Sequence, residues 1–144
     1  MQRLRRLLEQ RRAQGPDDGM SSIEFVVTTP ILIGLLFLAV QFALGLFAHE
    51  VALAAAQAGA REARATADAN PSGWQQKAHD VAAARISSLG PSLTDNPVIK
   101  TENIGQHQVR VTVQVDIVPV IPFLHMTLTS VSQGPVERFV PDAG

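Results

Sequence analysis

The histidines are the side chains of this sequence that would first suggest metal binding or acid-base chemistry, but their spacing supports neither. None belongs to an HExxH pattern, in which two imidazoles one helical turn apart share a helix face. The sequence also lacks a GxSxG elbow, a phosphate-binding glycine loop, a paired-carboxylate pattern and any cysteine. The four histidines are interpreted as ordinary surface or interfacial residues: His49, His79, His107 and His125. We expect a protein that is not an enzyme and takes no metal, cofactor or small-molecule substrate.

One carboxylate stands where its charge is costly, at the start of a long apolar run. Glu24 lies between Ile23 and Phe25, and an ionised group costs up to about 3 kcal/mol at mid-bilayer and less near the headgroups. Glu24 is either a helix N-terminal acid, favoured by the macrodipole after the cap candidates Ser21 and Ser22, or a group that awaits a specific cation. We favour the second interpretation because of the residues that precede it.

The element that must position Glu24 is an uncharged segment of 24 residues, Phe25 to Ala48. As a helix rising about 1.5 Å per residue it reaches roughly 36 Å, which covers a bilayer core of about 30 Å. The cations that precede this segment are Arg3, Arg5, Arg6, Arg11 and Arg12, whereas the next arginines lie well beyond its end. The length of the segment predicts one membrane span, about residues 23–48. The positive-inside rule predicts its orientation, with the N-terminus in the cytoplasm and the C-terminal domain outside.

Two other interpretations of the apolar segment are weaker. A soluble protein would have to enclose a helix that is apolar all round, and the roughly 100 remaining residues are too few for that. A cleaved secretory signal has an apolar region of about 7 to 15 residues, which is shorter than this one.

The residues around Glu24 form a pattern of their own. Residues 19–25, GMSSIEF, place a glycine between a basic leader and the apolar helix, and an Ala-rich, Arg-containing stretch (VALAAAQAGAREARA) follows the helix. The sequence here resembles a type IV prepilin and, more closely, the TadE family of pilin-like proteins, which is associated with the Flp (tight adherence) pilus machinery. The resemblance covers roughly residues 15–138 and is less specific in the second half.

The resemblance implies that a prepilin peptidase cuts between Gly19 and Met20, leaving Glu24 fifth and Phe25 sixth in the mature chain. Cleavage would create an amine on Met20, which shares a helix face with Glu24, so the two groups can pair within one chain. In assembled pilins the resemblance implies instead that the glutamate meets the amine of a neighbouring subunit. Many type IV pilins begin with Phe, whereas Met20 stands here.

Small residues along the helix would let a second helix approach closely, although alanine is also simply a good helix former. The candidates form two series with four-residue spacing, first Ala39 and Ala43, then Ala52, Ala56 and Ala60. Gln41 is the strongly polar residue of the span and either hydrogen-bonds a partner helix or has no role. Pro30 is expected to leave a carbonyl free and to kink the helix.

Beyond the span the helical pattern continues to about Asp68, and a second helix is predicted over Trp74 to Leu89, ended by Gly90-Pro91. Alternating valines predict a half-buried strand over Val109 to Ile117. MTLTSVS (residues 126–132) and PVIKTE (residues 97–102) predict two more strands, with Gly105 in the first turn. These elements make a three-stranded antiparallel meander. The apolar, proline-bearing connection 118–124 is either buried or a docking patch, and we favour burial.

The predicted architecture is α+β, with a leader (1–19), a transmembrane and extended helix (20–68) and an extracytoplasmic head (69–144). A net charge of −1 without a basic face argues against nucleic-acid binding. The resemblance implies a minor pilin or pseudopilin whose partners are membrane lipid, prepilin peptidase and other pilus proteins. The alternatives are an unprocessed anchor subunit that recruits a membrane enzyme or transporter, and a secreted binding domain.

Overall fold

Five regular elements follow one another in the computed structural model, which describes residues 17–90, 92, 94–105 and 107–137, with side chains from residue 22 onward. The helices are α1, Asp17–Thr66, and α2, Trp74–Leu89. The strands are β1, Thr94–Gly105, β2, Gln108–Ile117, and β3, Met126–Pro135. A long N-terminal apolar helix, a second helix and a three-stranded antiparallel sheet confirm the predicted α+β class. The arginines predicted to set the topology lie outside the described residues: Arg3, Arg5, Arg6, Arg11 and Arg12.

The chain divides into two compact units after Ala39. In the first unit, α1 is apolar all round and exposes that surface: every described side chain from 22 to 39 is exposed except Thr29, which is half-buried. Phe25 is 70% exposed and Leu36 is 61% exposed. Pro30 lies inside α1 without ending it. This unit offers large apolar side chains to its surroundings.

The second unit begins at Val40 and has a continuous core built from both helices and the central strand. The outer part of α1 contributes mainly alanines to this core. On α2 the buried residues are Trp74, Ala78, Ala82 and Ile86, which recur every four residues and so form one stripe. Val81 is half-buried and Leu89 is exposed, because both lie at the edge of this stripe. Trp74 is a packing anchor at the start of α2.

The sheet is an antiparallel meander in the order β1-β2-β3. β2 is central, and every second residue faces inward and is buried, whereas the residues between them face outward. The inward residues are Val109, Val111, Val113, Val115 and Ile117. β1 is longer than the predicted 97–102, and a register shift between Asp95 and Val98 accommodates Pro97 on this edge strand. Gly105 ends β1 and pairs with Gln108 across the first turn.

The connection between β2 and β3 corrects one expectation. We predicted that residues 118–124 are buried, but Phe123 is 95% exposed, and the other six residues are half-buried or exposed. Pro119 and Pro122 cannot donate ladder hydrogen bonds, so the segment cannot continue the sheet. The inner face of β2 is already covered by the alanines of α1 and the stripe of α2, so the core has no place for this segment.

Candidate functional site

The predicted cleavage site lies at the beginning of α1. Gly19 and Met20 are in the helical backbone, and Glu24 follows Met20 by four residues, about one turn later. The carboxylate of Glu24 and the ring of Phe25 are both exposed. Glu24 therefore has the open surroundings that a partner's cation would need, and the backbone spacing suits a pair with the Met20 nitrogen.

The small residues predicted for helix packing fall into two groups. Ala39 and Ala43 are exposed on α1, whereas Ala52, Ala56 and Ala60 are completely buried inside the head. The buried three belong to the same core cluster as α2 and β2. They therefore support close packing within the chain, and only the exposed pair is available to another protein.

Gly59 is a point of close approach between α1 and the rest of the head, and the sequence patterns did not single it out. A Cβ atom built at Gly59 would lie 3.0 Å from the carbonyl oxygen of Ala78 and 3.2 Å from Cγ1 of Val111. The absence of a side chain lets α2 and β2 both approach the backbone of α1 here. A glycine inside an alanine-rich helix is the sequence signal that could have identified this position.

Gln41 hydrogen-bonds the chain's own head. Its side chain is 1% exposed, and its Oε1 accepts hydrogen bonds from the backbone N–H groups of Val120 at 2.8 Å and Ile121 at 3.4 Å. Its Nε2 is buried and has no hydrogen-bond partner among the described residues. The sequence predicted either a hydrogen bond to a partner helix or no role for Gln41. In the structure it instead binds a backbone segment of the same chain, 79 residues later in the sequence.

Two further contacts fix how α1 runs along the sheet. At the end where β2 finishes, a Cβ atom on Gly45 would lie 3.5 Å from Cδ1 of Ile117. At the other end, the carbonyl oxygen of Arg64 accepts a hydrogen bond from the N–H of Glu137 at 2.9 Å. The 118–124 connection is therefore beside Gln41 and Gly45 of α1, and the end of β3 is beside Arg64.

Within the described ranges, no group of three or more His, Asp or Glu side chains could hold a metal ion. An open cleft at the end of the sheet is lined by Asp95, Asp116 and His125, and Asp116 accepts a hydrogen bond from the Thr127 hydroxyl at 2.7 Å. These polar groups border the 118–124 connection.

The fold and the exposed helix define the class of protein: in the described residues, an α+β head follows a long apolar helix. Between residues 22 and 66, α1 is long and apolar enough to cross a membrane, and only 11% of its most apolar stretch is buried, unlike a soluble core helix. The family model for TadE-like protein matches residues 19–61, which confirms the predicted resemblance for that region; the rest of the predicted range, to residue 138, lies beyond the match. No curated protein and no solved structure matches the chain.

Proposed function

We propose that this chain is a single-pass membrane protein that takes part in assembling an Flp-type (tad) pilus, as a minor pilin or pseudopilin. The observation that carries the proposal is the TadE-like match, which begins at Gly19 and extends along α1 to residue 61. The matched region contains the glycine, the acid five residues later and the apolar helix. The partners in this proposal are membrane lipid, a prepilin peptidase and other pilus-assembly proteins.

The exposed surface of α1 supports the membrane assignment. Side chains such as Leu36 and Phe37 lie open on a helix whose uncharged run can cover a bilayer core. In water this surface would cost roughly 25 cal/mol per Å² of apolar area, whereas lipid removes that cost. In this proposal the arginine-rich leader stays in the cytoplasm and the head lies on the other side.

The proposed work is done by contacts, without catalysis. Peptidase cleavage after Gly19 gives Met20 a free amine, and the exposed Glu24 then has a cation within reach on its own chain or on a neighbour. Pairing relieves the cost of a charge near lipid, which sets the register between helices. A head of this size is more than a major Flp pilin would carry, so we assign the chain a minor role.

Intact-mass measurement tests the processing step. The full chain is co-expressed with a prepilin peptidase from a tad system, and the expected product lacks residues 1–19 and begins at Met20. Gly19→Ala should abolish this product and leave the full-length mass. If the wild-type chain keeps its arginine-rich start in the presence of an active peptidase, the unprocessed-anchor alternative replaces the proposal. A start beyond Ala54, after the small-residue sequence Ala52-Leu53-Ala54, would indicate secretory cleavage.

The charge-pairing step has a separate test with a matched control. Glu24→Gln keeps the side-chain shape and removes the charge, so it should be cleaved normally but should lower the yield of assembled pili at least several-fold. Glu50→Gln is the same change on an exposed glutamate of the same helix, beyond the uncharged run, and should assemble normally. Normal assembly of the Glu24→Gln protein would refute the pairing mechanism.

A further inference from the structure

The connection between β2 and β3 is an exposed apolar segment without a charge, and we call residues 118–124 (VPVIPFL) the proline loop. Phe123 at its tip is 95% exposed and has a left-handed backbone, with φ of 72°. Such a backbone is costly for a residue with a Cβ atom, and strained positions of this kind concentrate at functional sites. A large aromatic side chain held outward at this position therefore needs an explanation outside the core.

The height of the proline loop along α1 indicates its surroundings. Its amides contact Gln41, and Gln41 precedes Ala48, the last residue of the uncharged run, by seven residues. Seven helical residues correspond to about 10 Å along the axis. Interfacial apolar segments insert about 5–10 Å into the headgroup and acyl boundary. If α1 spans a membrane, the loop is therefore level with the outer leaflet.

Most of the backbone N–H groups of the proline loop are hydrogen-bonded within the chain. Two of its seven residues are prolines, so it has five N–H donors. Three of these donate within the chain: Val120 and Ile121 to Oε1 of Gln41, and Leu124 to the carbonyl oxygen of Ile121. Unpaired backbone groups are costly in hydrocarbon, so this pairing lowers the cost of placing the loop at the membrane boundary, where its side chains and not its backbone enter the acyl chains. In return, the loop covers the polar end of Gln41, which would otherwise face lipid.

The surface next to the loop points to lipid as the occupant. At the same level α1 exposes Phe42 and Leu46, so the loop extends an apolar surface that already belongs to the span. The titratable groups near the loop, Asp95, Asp116 and His125, lie at its base along the open cleft. This division places the apolar tip toward acyl chains and the polar base toward headgroups.

We propose that the proline loop inserts Phe123 and Leu124 into the acyl chains of the outer leaflet and gives the head a second membrane contact beside α1. The proposal rests on the membrane anchorage proposed above. The outer part of α1 belongs to the core of the head, so with one membrane contact the head would follow every tilt of the helix, whereas a second contact restricts that tilt. The head would then present a constant face to neighbouring pilus subunits while it is in the membrane.

Single-cysteine labelling of the full chain tests the insertion, because the sequence has no native cysteine. Phe123→Cys is labelled with NBD in phosphatidylcholine vesicles, and quenching by doxyl-labelled lipids is measured. Phe42→Cys, exposed on α1, reports on the helix, and Gln108→Cys, exposed at the far end of β2, reports on a site outside lipid. We expect quenching at position 123 to be at least three-fold stronger than at 108 and close to that at 42.

The three labels separate the two proposals. Strong quenching at 42 with position 123 equal to position 108 would overturn the insertion and leave the anchor intact. Quenching at 42 no stronger than at 108 would overturn the anchor, and the inserted loop with it. Because Phe123 and Phe42 are both exposed in the chain, neither substitution removes a core contact, so loss of folding does not confuse the result.

Discussion

The two parts of α1 are both apolar, yet they differ in side-chain size and in exposure. From residue 23 to 40 the helix carries mainly Leu, Ile, Val and Phe, and these side chains are exposed. From residue 48 to 63 it carries mainly Ala, and most of these alanines are buried against the head. One continuous helix therefore presents large apolar side chains in one part and small ones in the other.

The comparison shows that apolar content alone does not decide what covers a helix. Large side chains fill space and suit a fluid apolar surrounding, whereas alanine and glycine let other backbones approach until carbonyl oxygens and valine methyls touch the helix. At Gly59 this approach leaves no room for a Cβ atom at ordinary contact distance. Side-chain size thus separates the region proposed to face lipid from the region that packs on protein.

A charge placed in the exposed part should have the largest effect. Leu36→Arg puts a guanidinium at mid-span and should cost about 3 kcal/mol of insertion free energy. The measurement is the fraction of chain inserted into microsomal membranes in a translation assay. Gln57→Arg, an exposed position on the outer part of α1, is the control and should insert like wild type. Equal insertion of the two variants would contradict the membrane assignment.

Enlarging a side chain should destabilise the protein in the buried part of α1 and have little effect in the exposed part. Ala56→Leu overfills the core and should lower the free energy of unfolding of the head by about 2 to 3 kcal/mol, measured by thermal unfolding in detergent. The matched change Ala39→Leu falls on an exposed residue and should have little effect. A similar loss of stability in both variants would show that the buried alanines are not the packing surface.

Shortening a side chain tests whether β2 completes the same core. Val113→Ala removes two buried methyl groups and leaves a small cavity, so the free energy of unfolding should fall by about 2 kcal/mol. Val131→Ala is the same change on β3, where the valine is 49% exposed, and should cost well under half as much. Chemical denaturation measures the free energy of unfolding of both variants. An equal loss in the two would contradict the burial of Val113 and the exposure of Val131.

The ion pair between the two helices should have the smallest effect. Lys77 Nζ lies 2.6 Å from Glu62 Oε1, but the lysine side chain is largely exposed. A double-mutant cycle with Lys77→Ala and Glu62→Ala should give a coupling energy of about 0.5 kcal/mol that weakens in high salt. A coupling as large as the core substitutions would mean that charge, and not packing, holds α2 to α1.

Local patterns were sufficient to predict the elements of the head. The boundaries of α2 follow from an apolar stripe and a glycine stop, and β2 follows from alternating valines, because both periods are properties of neighbouring residues. The β1 strand was predicted too short, since its outer residues owe their strand conformation to pairing with β2. Its composition alone, with Pro97 and several polar residues, does not indicate that length.

Long-range contacts decided the features that the sequence left open. Whether the proline loop is covered depends on how much of the core the alanines of α1 and the stripe of α2 already fill, which local sequence does not encode. The partner of Gln41 lies 79 residues away, so helix periodicity could not reveal it. Gly59 likewise has a role only because two other elements approach it.

The sequence by itself determined the uncharged helix, the motif at its start and the alternation of β2, because chain composition and nearest-neighbour periodicity suffice for each. Only the tertiary structure decided which alanines are buried, what Gln41 binds and that Phe123 faces outward. The physical reason is that burial is a property of volume filled by distant segments. The neighbours of a residue along the chain can set its backbone conformation and the direction of its side chain. They do not determine which distant segment packs against that side chain.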